Sequence, residues 1–365
     1  MTSSGHSLSL ALRQSIKDEA RRLGFILAGV TTPDPPPHAA VYEDWIARGR
    51  HASMRYLAEE RSRLRRTNPR LLMQDCRSVL VLGVPYSNPG PAPEATRLKQ
   101  GKSGVGKTAA YAWGEDYHVV LPKRLEAIVR FIEKQVGHAV SSRWYADSGP
   151  ILERDLAQRA GLGWIGKNTC LINPRAGSYI LLAELFLDLE IEPDRPFASD
   201  HCGTCTRCIQ ACPTGCILPD RTLDSGRCIS YLTIELRESI PPELRRLVGN
   251  WVFGCDVCQM VCPWSRFAPP IGDMAFGQHD RLLQANLLPE LEIDSEMFEQ
   301  IFRGTPVRRA KHSGYQRNVA VVLGNVAGVE ATPALQAAAE GGQTMVAEHA
   351  RWAIEQIKDR AASSV

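Results

Sequence analysis

The stretch CGTCTRCIQACPTGC, Cys202 to Cys216, places five cysteines in fifteen residues and constrains this chain more than any other feature. Its first four follow the C-x2-C-x2-C-x3-C-P spacing of bacterial two-cluster ferredoxins. Three thiolates two residues apart wrap one corner of an iron–sulfur cubane, while the fourth, carried off on a short helix, reaches a neighbouring cluster. The spacing therefore predicts two 4Fe-4S clusters. A second run, GCDVCQMVCP, holds Cys255, Cys258 and Cys262 but lacks a first cysteine, and the nearest free thiol upstream is Cys228 in SGRCISYL. The expected ligand sets are Cys202, Cys205, Cys208 and Cys262 for one cluster, and Cys212, Cys228, Cys255 and Cys258 for the other. Cys216, one turn beyond Cys212, is expected to point into a small core and to hold no iron.

Structural zinc and disulfides are the competing readings. A triple C-x2-C-x2-C ahead of C-P has no use in a tetrahedral zinc site. Nine of the eleven cysteines lie between Cys202 and Cys262, which in a cytoplasmic chain favours metal over disulfides. Cys76 and Cys170 stand alone and read as small buried apolar residues. The longest apolar runs, SVLVLGVPY and YILLAELFL, have strand length and fall short of the ~20 residues that span a bilayer. The opening MTSSGHSLSLALRQSIKDEARR turns charged quickly and does not read as a secretory signal. A cytoplasmic protein with no membrane segment is expected. With a net charge of only +3, any nucleic-acid site must come from local patches.

Helices and strands alternate to about Leu187: LALRQSIKDEARRLG, FILAGV, VYEDWIARG, SVLVLGVPY, HVVLPKRLEAIVRFIEKQV, SSRWYAD, PILERDLAQRAG and YILLAELFL. This is α/β patterning. From His201 to about Pro270 the texture changes to Cys, Pro and Gly, and the remainder, from DSEMFEQIF through MVAEHARWAIEQI, is helical with HEAT-like short repeats. The expected domains are 1–198, α/β; 199–270, a two-cluster ferredoxin-like module; and 271–365, an α-helical HEAT-like tail. GKSGVGKT, Gly101 to Thr108, matches the phosphate-cradling pattern letter for letter. A polar, Pro-rich stretch precedes it where a buried strand is needed, so a mobile basic loop is expected instead.

The combination resembles the epoxyqueuosine reductase family. The likeness rests on YADSGPILERDLAQRAGLGWIGKNTCLI, AGSYILLAELFLDL, the first cysteine run, RCISYLTIEL, GNWVFGCDVCQMVCPW and RRAKHSGYQRNVAVVLGN. It implies a base-off cobalamin bound by the N-terminal domain, and removal of the epoxide oxygen from epoxyqueuosine at the tRNA wobble position. It further implies Asp147, in the D-[ST]-[GA]-P motif, as proton donor, and an external one-electron donor of the reduced flavodoxin or ferredoxin type. The residues themselves also allow a plainer role. Pro150 suits the first turn of a helix, which would leave Asp147 as a cap or N-terminal charge. Ser230, Tyr231 and Thr233, following a cluster ligand, are candidate corrin contacts, as are Lys167 and Asn168 in the Gly-rich turn GLGWIGKNT; each segment is equally readable as ordinary packing.

No RNA-recognition motif is visible. Two basic stretches are: RSRLRRTNPR, Arg61 to Arg70, and RGTPVRRAKHSGYQR, with Arg308, Arg309, Lys311, Arg317 and Tyr315. Arginines contact phosphate, and an exposed tyrosine stacks on an unpaired base. With the resemblance, the tail is the expected tRNA surface and Arg61 to Arg70 a secondary or cofactor-facing one. A corrinoid reductive dehalogenase and a non-enzymatic ferredoxin-type electron carrier are the alternatives. The first normally carries a twin-arginine export signal, absent here. Nothing in the sequence demands more than a monomer.

Overall fold

In SVLVLGVPY every position is apolar or small, so a strand made from it must be covered on both faces. The computed structural model, which describes residues 3–89, 104–277, 282, 285–341 and 343–363, buries all eight residues of that strand. In chain order the strands are β1 (Leu27–Thr31), β2 (Ser78–Pro85), β3 (Val105–Thr108), β4 (Ser142–Tyr145), β5 (Trp164–Ile165), β6 (Leu171–Ile172), β7 (Ile180–Leu187), β8 (Trp251–Phe253) and β9 (Ala285–Asn286). The main sheet runs β1-β2-β7-β4 and is antiparallel throughout. Helix–strand alternation thus does not give a parallel sheet here.

The two faces of β2 go to different layers, as a two-residue period dictates. Leu80, Leu82 and Val84 join the large core with Ile16 and Ala20 of the helix Ser3–Arg22 and Leu121, Leu125, Ile128 and Ile132 of the helix Tyr117–Val136. Val79 and Val81 join Phe186, Leu156, Ala157 and Ala160 in a second cluster beneath the helix Glu153–Arg159. The signals that bound Tyr117–Val136 are local. The Asp116 carboxylate accepts from His118 N–H at 3.0 Å, and Gly137, at φ 78°, closes the last turn in the left-handed region.

A second sheet, β8-β3-β9, joins three distant chain segments. Val105–Thr108 is therefore a strand and not a mobile loop, paired parallel to β8 and antiparallel to β9. The Lys107 ammonium sits 5.9 Å from the Trp251 ring centre. Gly101 to Ser103 lie outside the described residues.

The tail forms the helices Ser295–Ile301, Lys311–Val326, Thr332–Glu340 and Thr344–Ala362, the first capped by Asp294, whose carboxylate accepts from Met297 N–H at 2.7 Å. Lys311–Val326 and Thr344–Ala362 pack closely at Gly324, where a Cβ would meet Ala353 at 2.8 Å.

Two residues expected to face RNA point inward instead. Tyr315 is 2% exposed, ringed by Phe298 and Phe302, with its hydroxyl donating to Glu290 at 2.6 Å. Arg317 is fully buried, and its guanidinium donates to the carbonyls of Leu232, Leu236 and Glu238 at 2.6–2.9 Å. Asn318 adds bonds to the carbonyls of Thr233 and Val252. A run of charges along a sequence does not tell which side of a helix is enclosed. Here Arg317 serves carbonyls left open where the helix Ile229–Ile234 ends. Arg317→Met should strand these groups and remove charged hydrogen bonds worth about 3 kcal/mol together. For 365 residues that corresponds to a melting temperature about 4 °C lower, measurable by differential scanning calorimetry.

Candidate functional site

The first expected ligand set comes together. Cys202, Cys205, Cys208 and Cys262 line one cavity of about 230 Å³, with Lys167, Asn168, Trp264 and Arg266 also in its wall. Cys262 reaches it from the second cysteine run because the helices Arg207–Ala211 and Val257–Met260 pack side by side. The indole N–H of Trp164 donates to Cys202 Sγ at 3.4 Å, and the ring lies against Phe197, His201 and Trp264. Lys167 donates from Nζ to the carbonyls of Gly203 and Cys205 at 2.7 and 3.0 Å, fastening the loop that bears the first thiols.

The second set is gathered as well, with two additional thiols. Cys216 Sγ is 3.4 Å from Cys212 Sγ and also bonds to the Cys228 thiol. Hydrogen bonding by Cys216 and Thr214 lowers the Cys212 thiol to about 5, towards the thiolate form that binds metal. Cys216 is thus buried, as expected, but sits among the sulfurs rather than in a separate apolar core. Cys170 is not the inert residue expected either; its thiol is hydrogen-bonded to Cys258. Cys76 is buried among the apolar residues beneath the sheet. Among the described residues no three His, Cys, Asp or Glu side chains converge to hold a single metal ion.

A larger cavity, about 420 Å³, opens on the other side of the Gly161 to Thr169 turn. Its wall includes Tyr42, Trp45, Tyr56, Arg66, Asp147 and Ser225. Ser225 begins the short turn that leads into Cys228. The helix expected to start at Pro150 begins at Glu153, so Asp147 lies six residues ahead of it and is not its cap. Asp147 instead adopts φ 56°, a left-handed conformation that Asp tolerates better than most residues. Two bonds hold it there: the Tyr117 hydroxyl donates to its Oδ2 at 2.5 Å, and its own N–H donates to Glu153 Oε1 at 2.7 Å. Burial and the nearby Asp147 charge push the Glu153 carboxyl up to about 8. Behind it Glu184, on β7, is fully buried with neither carboxylate oxygen hydrogen-bonded, and burial with the charges of Glu153 and Asp147 pushes its carboxyl well above the usual range.

The candidate corrin contacts do not gather in one place. Lys167 and Asn168 line the thiol cavity, whereas Ile165 and Thr169 of the same turn face the larger one. Thr233 is fully buried, its hydroxyl donating to the Ile229 carbonyl and accepting from Gly254 N–H. Tyr231 is buried with its hydroxyl on Ser53, and Ser230 remains partly exposed. None of these three lines the larger cavity. Arg308, Arg309 and Lys311 are exposed, Arg308 paired with Glu299 and Arg309 with Glu235. Tyr117, Glu153 and Glu184 were not singled out in the sequence, although Glu184 gave a signal: it is the lone charge in the apolar run YILLAELFL.

An antiparallel α/β layer carrying an acid in a cavity beside two sets of thiols defines an iron–sulfur oxidoreductase. A family model described as "4Fe-4S double cluster binding domain" matches residues 201–265, and one described as "Epoxyqueuosine reductase QueG, DUF1730" matches residues 66–148. The epoxyqueuosine reductase of Pseudomonas aeruginosa is 41% identical over 346 residues, covering 94% of each chain. A crystal structure of epoxyqueuosine reductase with an epoxyqueuosine-modified tRNA-Tyr stem loop superposes with a TM-score of 0.84 at 29% identity, covering 98% of this chain and 92% of that one. The Streptococcus thermophilus enzyme gives 0.83 at 28% identity, over 95% and 90%. The chain belongs to the epoxyqueuosine reductase family and is an oxidoreductase. The dehalogenase-like and non-enzymatic readings fall with that result.

Loss of the Lys167 clamp should loosen the loop of the first thiol set alone. In Lys167→Ala, about half of the iron–sulfur absorbance should bleach several-fold faster in air, the other half keeping the wild-type rate.

Proposed function

We propose that the chain reduces epoxyqueuosine in the tRNA anticodon to queuosine, with Asp147 as proton donor, base-off cobalamin in the cavity beside it and two 4Fe-4S clusters alongside. The observation that carries the reading is that Asp147 and Ser225 share one cavity wall, the second of them three residues from Cys228. The residues present fit a corrin. Val41, Leu57, Ile151 and Leu223 offer an apolar surface to a macrocycle, Tyr42, Trp45 and Tyr56 offer rings, and Arg66 and Arg221 offer donors for amide oxygens. Cobalamin, when bound, supplies a strongly reducing cobalt centre, a chemistry that side chains lack.

This chain's own groups do the remaining work. Tyr117 and Glu153 hold Asp147 on the cavity wall, where its carboxyl can protonate the departing epoxide oxygen. Cys202, Cys205, Cys208 and Cys262 would hold one cluster; Cys212, Cys228, Cys255 and Cys258 would hold the other. Arg308, Arg309 and Lys311 are the tRNA contacts on this reading. Arg309 is near enough to Tyr56 and Asp147 for their charges to raise its pKa, although the bond to Glu235 is the larger cause. Electrons come from an external one-electron donor of the reduced flavodoxin or ferredoxin type, and the protein works as a cytoplasmic monomer. Among the described residues no helix is long and apolar enough to cross a membrane.

The test is anaerobic reconstitution with iron, sulfide and cobalamin, then assay on a stem loop carrying epoxyqueuosine. Absence of both corrin binding and queuosine formation would refute the reading. Asp147→Ala should lower turnover at least about 100-fold while keeping iron content and corrin absorbance. Cys228→Ala should lose about four of eight irons, whereas Cys216→Ala should keep them all.

A further inference from the structure

We propose that the basic, ring-lined mouth of the first thiol cavity is the docking site of the electron donor, and that this donor is an acidic flavoprotein of the flavodoxin type. The inference rests on the function proposed above, which needs an external one-electron carrier, and adds where on this chain the carrier sits.

Electron tunnelling weakens steeply with distance, so electrons enter at the group that a partner approaches most closely. The two thiol sets differ in that respect. Five of the seven residues from His201 to Arg207, the segment bearing Cys202 and Cys205, are exposed. The chain neighbours of Cys255 and Cys258, in contrast, are all buried. Ser225, in the wall of the larger cavity, is three residues from Cys228. The second set thus faces the larger cavity and the first faces the outside.

Charge makes the outer mouth selective. Lys167, Arg207 and Arg266 line the cavity together with His201, and among the described residues no carboxylate lines it. Lys167 gives its hydrogen bonds to the Gly203 and Cys205 carbonyls, which do not cancel its charge. Arg266 lies over the Phe267 ring at 4.7 Å, and neither it nor Arg207 has an acidic partner among the described residues. The nearest acid along the chain, Asp200, is held by Arg221 and by the Cys202 N–H at 2.9 Å. Three cations around one opening attract an acidic partner and repel a basic one.

The middle of the mouth is aromatic. Trp264 packs 5.1 Å from Trp164, whose indole N–H reaches Cys202 Sγ, and Phe267, 40% exposed, lies 5.7 Å from Trp264. Rings bordered by charge are the pattern of a protein interface. A flavin exposes a planar aromatic edge that stacks on such rings, whereas the cluster of a ferredoxin lies beneath polypeptide. RNA fits this face less well, because the modified base has to enter the larger cavity on the other side of the Gly161 to Thr169 turn. Docking passes one electron from the reduced flavin to the first cluster, with no bond to this chain made or broken.

The experiment mixes reconstituted holoenzyme with reduced flavodoxin in a stopped-flow instrument and follows flavin oxidation and cluster bleaching. It compares wild type, Arg207→Glu, Arg266→Glu and the double variant. Each single change should lower the second-order rate about 10-fold and the double change about 100-fold. In wild type the rate should fall at least about 10-fold as salt rises from about 0.05 to about 0.5 M. Reduced methyl viologen, a small cation, should reduce the clusters of every variant no more slowly than those of wild type. Equal flavodoxin rates in wild type and the double variant, or a wild-type rate indifferent to salt, would overturn the docking site. So would an equal slowing with methyl viologen, since the arginines would then act on the cluster and not on a partner. A plant-type ferredoxin of similar charge that outpaces flavodoxin overturns the choice of a flavin. Saturating stem loop should leave the flavodoxin rate unchanged; if it blocks the donor and binds the arginine variants more weakly, the face belongs to RNA. Should the glutamate variants not retain iron, Arg207→Gln, Arg266→Gln and the salt dependence of wild type decide. A wild-type enzyme that takes electrons from flavodoxin but forms no queuosine sinks the functional reading and leaves the docking site standing.

Discussion

The return of Cys262 to the thiols of the first run is the constraint on which the C-terminal half of this protein depends. Two short helices, Arg207–Ala211 and Val257–Met260, must lie side by side so that each run gives a sulfur to the other's group. Because the second run is one cysteine short, the fourth ligand proposed for it, Cys228, comes from a separate segment, and that segment is held at both ends. Tyr231 is tied to Ser53 of the N-terminal layer, and the carbonyls that follow are tied to Arg317 and Asn318 of the tail. A large hydrophobic core accordingly runs without interruption from Ile16 to Ile357.

What the sequence revealed was whatever is encoded locally. Ser78–Pro85 and Ile180–Leu187 announce themselves as apolar runs of strand length. Cysteine spacing is likewise a local code, and the crossing of Cys262 follows from it because three sulfurs two residues apart leave the fourth no way back. Antiparallel order in the sheet is a long-range choice, set by which hydrophobic faces meet, and alternation along the chain does not report it.

The misplacements share one physical cause. Tyr315, Arg317 and Thr233 are each in a segment that matters, but sequence shows the segment and not the direction of the side chain. Asp147 stands in a legible motif, while the groups that bond it are hidden in the sequence because Tyr117 lies thirty residues away and Glu153 only bonds it once the intervening turn has closed. Glu184 was legible in principle, since a carboxyl alone among Leu, Ala and Phe cannot be there for solubility.

On the ligand set proposed above, Arg317 would also bear on redox balance. The helix it terminates is six residues long, about 9 Å, and Cys228 is the residue before its first turn. A permanent cation at one end of that helix and the positive pole of the helix at the other both favour whichever oxidation state of a group on Cys228 carries more negative charge. A residue that reads along the chain as a handle for RNA would thus help to set how readily an electron settles at the second set of thiols.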